Sequence, residues 1–483
     1  MNARTLWTRT ALVTLGRASV TGAQVIAALL LVRLVSPAGW TQLALLLSVY
    51  MAGLAFGHLG LPSTAVFFIA RAGAGERDAV IRRTSALLVA AAAATALLVL
   101  ALRPFVSADP VVATAWPWLA AALLLELPTL GLPAMLVALD RPGPAALVEG
   151  LSSVAQVGAL VTPVLLGGGV VAACQGLAAY ALGRALASAV LTWRLMDARA
   201  PAGAWATRAG LRAQLAYTAP LVLALGANVL NRSIDKWLVY ALAPASFGRY
   251  AVAATEVPLL SVATYAIGAV MAARLARAFA AGRVDEVRAL WLAQTSRMTL
   301  LVVPLSAALV VAAAPLMELA FTPAYRDAAP AFQLFAGVTA LRVAEYGLIL
   351  RAGGDTRSLW SSSLVLLAGN AVLVPPLVLV LGAGGAALGI LLANLVAWIF
   401  ILRRIARLLR TPLAEVLPWQ LYAGTAVLCA AWVLVVDRSA RRALPPGTSA
   451  ALELGVRLGG FAAGYLAGAT LLRLRRLVTP LPQ

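Results

Sequence analysis

Residues 231–240 read NRSIDKWLVY and set Arg232, Asp235 and Lys236 between two apolar runs, LAYTAPLVLALGANVL and WLVYALA. Full charges inside an apolar run are costly unless they face a bundle interior or a wet cavity. At the roughly 100° per residue of an α-helix, Asn228, Arg232, Asp235 and Lys236 fall within about 100° of circumference and form one polar stripe. Asp235 is spaced to pair with Arg232 at i,i+3, while Lys236 at i,i+4 from Arg232 leaves the trio at net +1. An ion pair needs no third charge. The stripe therefore either lines a cavity that receives an anion, or locks helices together and snorkels outward.

Other ionisable residues fall in apolar stretches. Arg17 lies in the first. His58 sits in GHLGLPS, where the glycines and Pro62 point to a broken or closely packed helix, and the imidazole is either a charge relay or a packing residue. Glu256 in AATEVP has no local counter-charge and reads as a proton or cation site, or as an interhelical hydrogen-bond partner. Arg342 with Glu345 and Glu453 with Arg457 have the i,i+3 and i,i+4 spacings of self-neutralised, structural ion pairs. Glu126 and Arg184 are single charges in different stretches of the first half and are free to pair with each other.

Several chemistries are excluded. The sole lysine, Lys236, is followed by Trp237, so no Gly-Lys-Ser/Thr phosphate loop exists. One histidine rules out HExxH and two-histidine zinc sites. Cys174 and Cys429 lie far apart in apolar runs, which argues against a disulfide framework or a thiolate metal site. Neither catalytic residues nor a cofactor is expected, and the chain does not read as an enzyme.

The elements that must position these residues are membrane-spanning helices. Of 483 residues, 62% are hydrophobic and 12% charged, and mean hydropathy is +0.92. Apolar stretches of about 20 residues recur along the whole chain, each long enough to cross a hydrocarbon core. Segmentation gives an all-α polytopic protein of about 14 spans, among them 10–35, 41–70, 112–138, 170–193, 213–242, 247–272, 329–350, 359–381 and 384–402. The first lacks a convincing cleavage site and is expected to remain as a span. Turn signals separate the spans: LDRPG at 139–143, LGGG at 166–169, LGAGG at 381–385 and LPPG at 444–447.

With the N-terminus inside, about 25 basic residues fall on inner segments and about seven on outer ones, which orients the chain with both termini cytoplasmic. The net charge of +20 then needs no nucleic acid; topology and anionic membrane lipids account for it. This scheme puts Arg438, Arg441 and Arg442 outside.

An internal repeat emerges when LVRLVSPAGWTQLA (31–44) is laid over LVYALAPASFGRYA (238–251), 207 residues on. Six spans per repeat give both halves one orientation, related by a pseudo-twofold along the membrane normal. The expected domains are a six-helix lobe (1–196), a cytoplasmic linker (197–212), a second six-helix lobe (213–410), and an additional helix pair with a basic tail (411–483).

LVRLVSPAGW, GHLGLPSTAVFFIARAGAGE and above all NRSIDKWLVYALAPASFGRYAVAATE resemble the polysaccharide or O-antigen flippase family of the multidrug/oligosaccharidyl-lipid/polysaccharide exporter superfamily, over about residues 8–410. Asp235, Pro244, Phe247, Gly248 and Tyr250 carry the most specific pattern. The resemblance implies a V-shaped pair of lobes around an alternating-access cavity in the bacterial cytoplasmic membrane. It also implies a polyprenyl-pyrophosphate-linked glycan as substrate. Arg17, Arg232 and Lys236, beside Asn228, would then meet the pyrophosphate, and Asp235, Glu256 or His58 would serve coupling to a proton or sodium. A polysaccharide polymerase or glycosyltransferases would be partners; nucleic acid would not. The additional pair also resembles lipid II flippases, and a multidrug exporter on the same fold is a further alternative. A membrane glycan polymerase fits less well, because no loop is large enough.

Overall fold

The computed structural model describes residues 22–23, 26–196, 207–255, 275, 278–279, 281–344, 346–472, 474 and 478. Among these residues every regular element is a helix. In chain order they are α1 (Pro37–Gly57), α2 (Leu61–Arg71), α3 (Ala74–Val106), α4 (Pro110–Glu126), α5 (Gly131–Ala138), α6 (Pro142–Leu165), α7 (Val170–Leu195), α8 (Arg208–Leu242) and α9 (Pro244–Ala253). They continue as α10 (Val284–Ala320), α11 (Ala329–Ala340), α12 (Tyr346–Ala352), α13 (Thr356–Leu408), α14 (Trp419–Ala443) and α15 (Ala450–Leu471). Eight described helical stretches are long and apolar enough to cross a membrane.

Local chemistry sets where these helices start. Pro37, Pro110, Pro142 and Pro244 each open one, at a position whose N–H would have no acceptor. Pro37 and Pro244 are corresponding residues of the repeat, and each is followed three residues later by a buried aromatic, Trp40 or Phe247. Asp109 caps α4 by accepting the N–H groups of Val111 and Val112 at 2.8 and 3.2 Å.

Helix ends explain the differences from the expected spans. The stretch 41–70 is broken after Gly57, where Leu59 and Gly60 take φ of 50° and 74°. In 112–138, Pro128 falls in a 3-10 turn, Leu127–Leu130, that separates α4 from α5. The expected span 329–350 is not continuous either. It divides into α11 and α12, and the Tyr346 hydroxyl donates across the gap to the Leu341 carbonyl at 2.7 Å. Conversely α13 is a single run of 53 residues only by hydrogen bonding, since Gly382 has φ 58° and ψ −137° within the LGAGG turn.

The chain forms two compact units, residues 1–233 and 234–483. In the first, α4 packs mainly on α7 and α3, and the Trp116 indole donates to the Val99 carbonyl at 2.7 Å. The opening turns of α8 belong to this unit. Thr218 meets Thr64 at 3.0 Å, and Tyr217 stacks on Phe67 with ring centres 4.2 Å apart.

In the second unit α10 is the central helix, packed by α11, α14 and α15. Trp398, Trp419 and Tyr422 cluster at 5.7–6.2 Å. A chain of ion pairs fastens the additional helix pair: Glu318 to Arg326 (2.6 Å), Arg326 to Glu453 (2.7 Å), Glu453 to Arg457 (2.9 Å), Arg457 to Asp437 (2.9 Å) and Asp437 to Arg441 (2.8 Å). Glu453 and Arg457 do face each other at i,i+4, but they are the middle of a longer clasp.

Two outcomes follow from these contacts. Arg457 is 8% exposed and serves two carboxylates. Arg457→Leu should therefore remove about 3–5 kcal/mol of unfolding free energy, read from denaturation of purified protein, whereas Arg441→Gln at the exposed end should cost under about 1 kcal/mol. At Asp109, the hydrogen bond from the Gln42 side chain, with those from Val112 and Val111, holds the carboxyl below its ordinary value. A depressed folded-state value stabilises above an unfolded pKa of about 3.9 and ceases to do so as pH falls through the folded value. Asp109→Asn should abolish that acid-limb contribution to the thermal midpoint.

Candidate functional site

The polar stripe lies on α8, a helix of 35 residues. Lys236 is six residues from its C-terminal end, so the charges sit about 9–15 Å from that end rather than at mid-helix. Asp235 is 6% exposed. Its Oδ2 accepts from the Tyr250 hydroxyl at 2.6 Å, and its Oδ1 stands 4.0 Å from Lys236 Nζ with no hydrogen bond. Asp235 thus turns to Tyr250 and Lys236. Arg232 is exposed on the same helix.

The Pro-x-x-Phe-Gly-x-Tyr pattern has a physical reading. Pro244 starts α9 after a reversal at Ala243, Phe247 meets Tyr240 edge-on at 5.3 Å, and this seats the wholly buried Tyr250 on Asp235. Tyr250 was visible in the sequence as a motif member. Its function as the carboxylate's hydrogen-bond donor was not, because the pairing spans a chain reversal.

The first unit holds a second buried carboxylate. Glu126, 1% exposed, ends α4; its Oε1 is 2.6 Å from Arg184 Nη1 on α7, and its Oε2 accepts from the Tyr50 hydroxyl. Arg184 Nη1 also donates to the Tyr180 hydroxyl at 3.0 Å, and Gln156 Nε2 donates to Tyr50 at 3.2 Å. Glu126 and Arg184 are brought together as their charges suggested. Tyr180, one turn before Arg184, was the readable signal for the rest; Tyr50 and Gln156 come from other helices and left none.

The remaining candidates are placed as follows. His58 is half-buried at the α1–α2 break, where its Nδ1 accepts from the Gly60 N–H at 2.9 Å, so this imidazole supports a turn. Arg342 lies in the turn after α11, with its N–H on the Thr339 carbonyl at 2.9 Å. Asn228 lies on α8, its side chain outside the described set. Arg17, Glu256 and Glu345 lie outside the described residues.

The sequence profile of a family described as "Polysaccharide biosynthesis protein" matches residues 6–272. The chain belongs to this family. Solved structures share the family member's fold at low identity. "Lipid II flippase MurJ, inward closed conformation" aligns with a TM-score of 0.67 at 13% identity, over 97% of this chain and 100% of that one. An inward-facing multidrug resistance transporter of the MATE family in the MOP superfamily aligns at 0.65 and 17%, over 83% and 96%. A MOP superfamily transporter from Pyrococcus furiosus, described as having a binding pocket of reverse polarity, aligns at 0.57 and 15%, over 84% and 97%. A search of curated proteins found no match. The family member is thus a multi-pass membrane protein with an all-α transporter fold.

Removing one partner of the buried Glu126–Arg184 pair leaves an uncompensated charge. Arg184→Met should lose most folded protein by fluorescence-detected size exclusion, and the double variant Glu126→Gln/Arg184→Met should recover much of it. Tyr250→Phe should lower unfolding free energy by about 1.5–3 kcal/mol, the scale of a hydrogen bond to a charged group.

Proposed function

We propose that this protein is a flippase that moves a polyprenyl-pyrophosphate-linked oligosaccharide from the inner to the outer leaflet of the bacterial cytoplasmic membrane by alternating access, for surface-polysaccharide assembly. The observation that carries the reading is the state of the α8 stripe. Asp235 is buried, held by Tyr250 and beside Lys236, and Arg232, Asp235 and Lys236 carry a formal net charge of +1 in the sequence. A net basic surface inside an apolar protein suits a diphosphate, whose oxygens take charge-assisted hydrogen bonds from guanidinium and ammonium groups. Membership of a polysaccharide biosynthesis family agrees with a glycan-bearing substrate.

In this reading Arg17, Asn228, Arg232 and Lys236 line the cavity and receive the pyrophosphate, while the lipid tail stays in the bilayer. No bond is made or broken. Both termini face the cytoplasm, and a polymerase or glycosyltransferases act on the same glycan. Asp235 Oδ1, buried and without a hydrogen bond, is an acceptor that a proton or sodium ion would occupy to bias the two states; by its sequence position Glu256 is the other coupling candidate. His58 is committed to its turn and is the weaker relay. A second reading is a lipid II-type substrate, favoured by the likeness in fold to MurJ over almost the whole chain. A cationic-drug exporter is disfavoured by the sign of the stripe.

Deletion of the gene should make a lipid-linked glycan accumulate on the cytoplasmic face; no accumulation with normal surface polymer would refute the assignment, and a peptidoglycan precursor as the accumulated species would favour the second reading. Arg232→Ala and Lys236→Gln should each cut translocation in reconstituted vesicles by roughly tenfold or more, the scale of one charge-assisted hydrogen bond. Protein abundance should stay near that of the parent.

A further inference from the structure

Arg83 lies on α3 with 7% exposure. Its Nε donates to Gln214 Oε1 at 2.7 Å, and the Gln214 amide in turn donates to Thr84 Oγ1 at 2.8 Å. Gln214 is neutral. Among the described residues no carboxylate pairs with this guanidinium, and its terminal nitrogens make no hydrogen bond. The tip lies against the first turn of α8. A Cβ placed on Gly210 would fall 2.0 Å from Arg83 Nη1 and 2.9 Å from Thr207 Oγ1, so guanidinium and hydroxyl flank one point.

That placement is electrostatically unfavourable as it stands. The start of a long helix carries about half a positive charge together with N–H groups that have no partner in the helix. The first turn of α8 holds no acidic residue, and exposed Arg208 and Arg212 add two further cations. The Arg83 guanidinium and the start of α8 thus adjoin with no described carboxylate between them, the Gly210 N–H donating to Thr207 Oγ1 at 3.4 Å. An oxyanion would convert that repulsion into charge-assisted hydrogen bonds from Arg83 Nη1 and from the N–H groups of the turn other than that of Gly210, which Thr207 accepts.

We propose that Arg83, Thr207 and the opening turn of α8 form an oxyanion site on the first unit, which takes the phosphate or pyrophosphate of a lipid headgroup from the adjoining leaflet. The site lies about six helical turns from Arg232, at the opposite end of α8, so it is separate from the stripe. It rests on the flippase reading only for the identity of the leaflet, which the proposed orientation makes the cytoplasmic one. A headgroup held here is docked at the surface before any passage through the cavity.

The test uses the purified full chain in a neutral detergent without phosphate. Inorganic pyrophosphate is titrated in one arm; phosphatidylglycerol is compared with phosphatidylcholine in mixed micelles in the other. The thermal midpoint should rise with pyrophosphate, phosphatidylglycerol or both; a rise with phosphatidylglycerol alone assigns a phospholipid, and one with pyrophosphate alone assigns the pyrophosphate-linked lipid. Arg83→Gln should weaken the effective affinity by roughly tenfold or more. Thr207→Asp, which places a carboxylate beside Arg83 and keeps a helix cap, should raise the midpoint of the unliganded protein and remove the ligand-induced rise. Both arms are repeated in Arg232→Ala, where the rise should persist whether or not flipping does. No rise with either probe, or an undiminished one in Arg83→Gln, overturns the proposal. Should Arg83→Gln fail to fold, a full rise in Thr207→Asp overturns it equally.

Discussion

A carboxylate buried in an apolar medium has two oxygens to satisfy and one charge to balance, and much of this molecule follows from how that demand is met. In the first unit Glu126 is fully answered: a guanidinium takes one oxygen and a tyrosine hydroxyl the other. In the second, a different tyrosine, Tyr250, takes one oxygen of Asp235, but its cation, Lys236, stands off at 4.0 Å. The first arrangement is closed, and exchanging its cation would strand a buried charge. The second leaves an acceptor open. The difference separates a residue that holds helices together from one able to change its occupant.

The same demand explains a spacing that is otherwise arbitrary. Tyr250 reaches Asp235 only because the chain reverses at Ala243 and a ten-residue helix returns along α8. Proline starts that helix at the required place, and the buried aromatic one turn later fixes its rotation. The corresponding segment of the first repeat, with Pro37 and Trp40, builds the same corner without an acidic partner. The corner is therefore a property of the fold, and the carboxylate is an addition to it.

Length and hydropathy were enough to read helices, membrane residence and most turns, because a backbone in lipid has few alternatives and glycine or proline marks its interruptions. LGAGG and GHLG fell where the chain bends. Breaks without such marks were invisible: the gap between α11 and α12 is bridged by Tyr346 and Trp398, whose side chains the pattern gave no reason to connect. In the same way charges on one helix were legible as a stripe, and Glu453 with Arg457 as a local pair. Their extension to Arg326 and Asp437 was not, since those contacts join residues 20 to 127 positions apart. Nothing in the sequence sets Arg83 apart from the other basic residues, and only its burial against a helix start distinguishes it.

The clasp also has a consequence in time. Glu318 and Arg326 are synthesised more than a hundred residues before Asp437, Glu453 and Arg457, and α10 exposes the Val311 carbonyl that Arg457 later meets. Until α14 and α15 arrive, Arg326 has only Glu318 of its two carboxylate partners, and α10 lacks the neighbours that cover its other side. The second unit is thus completed by its last helices rather than decorated by them. A chain that ends before residue 437 would leave Arg326 without its second carboxylate, the Val311 carbonyl without its guanidinium, and one face of α10 uncovered.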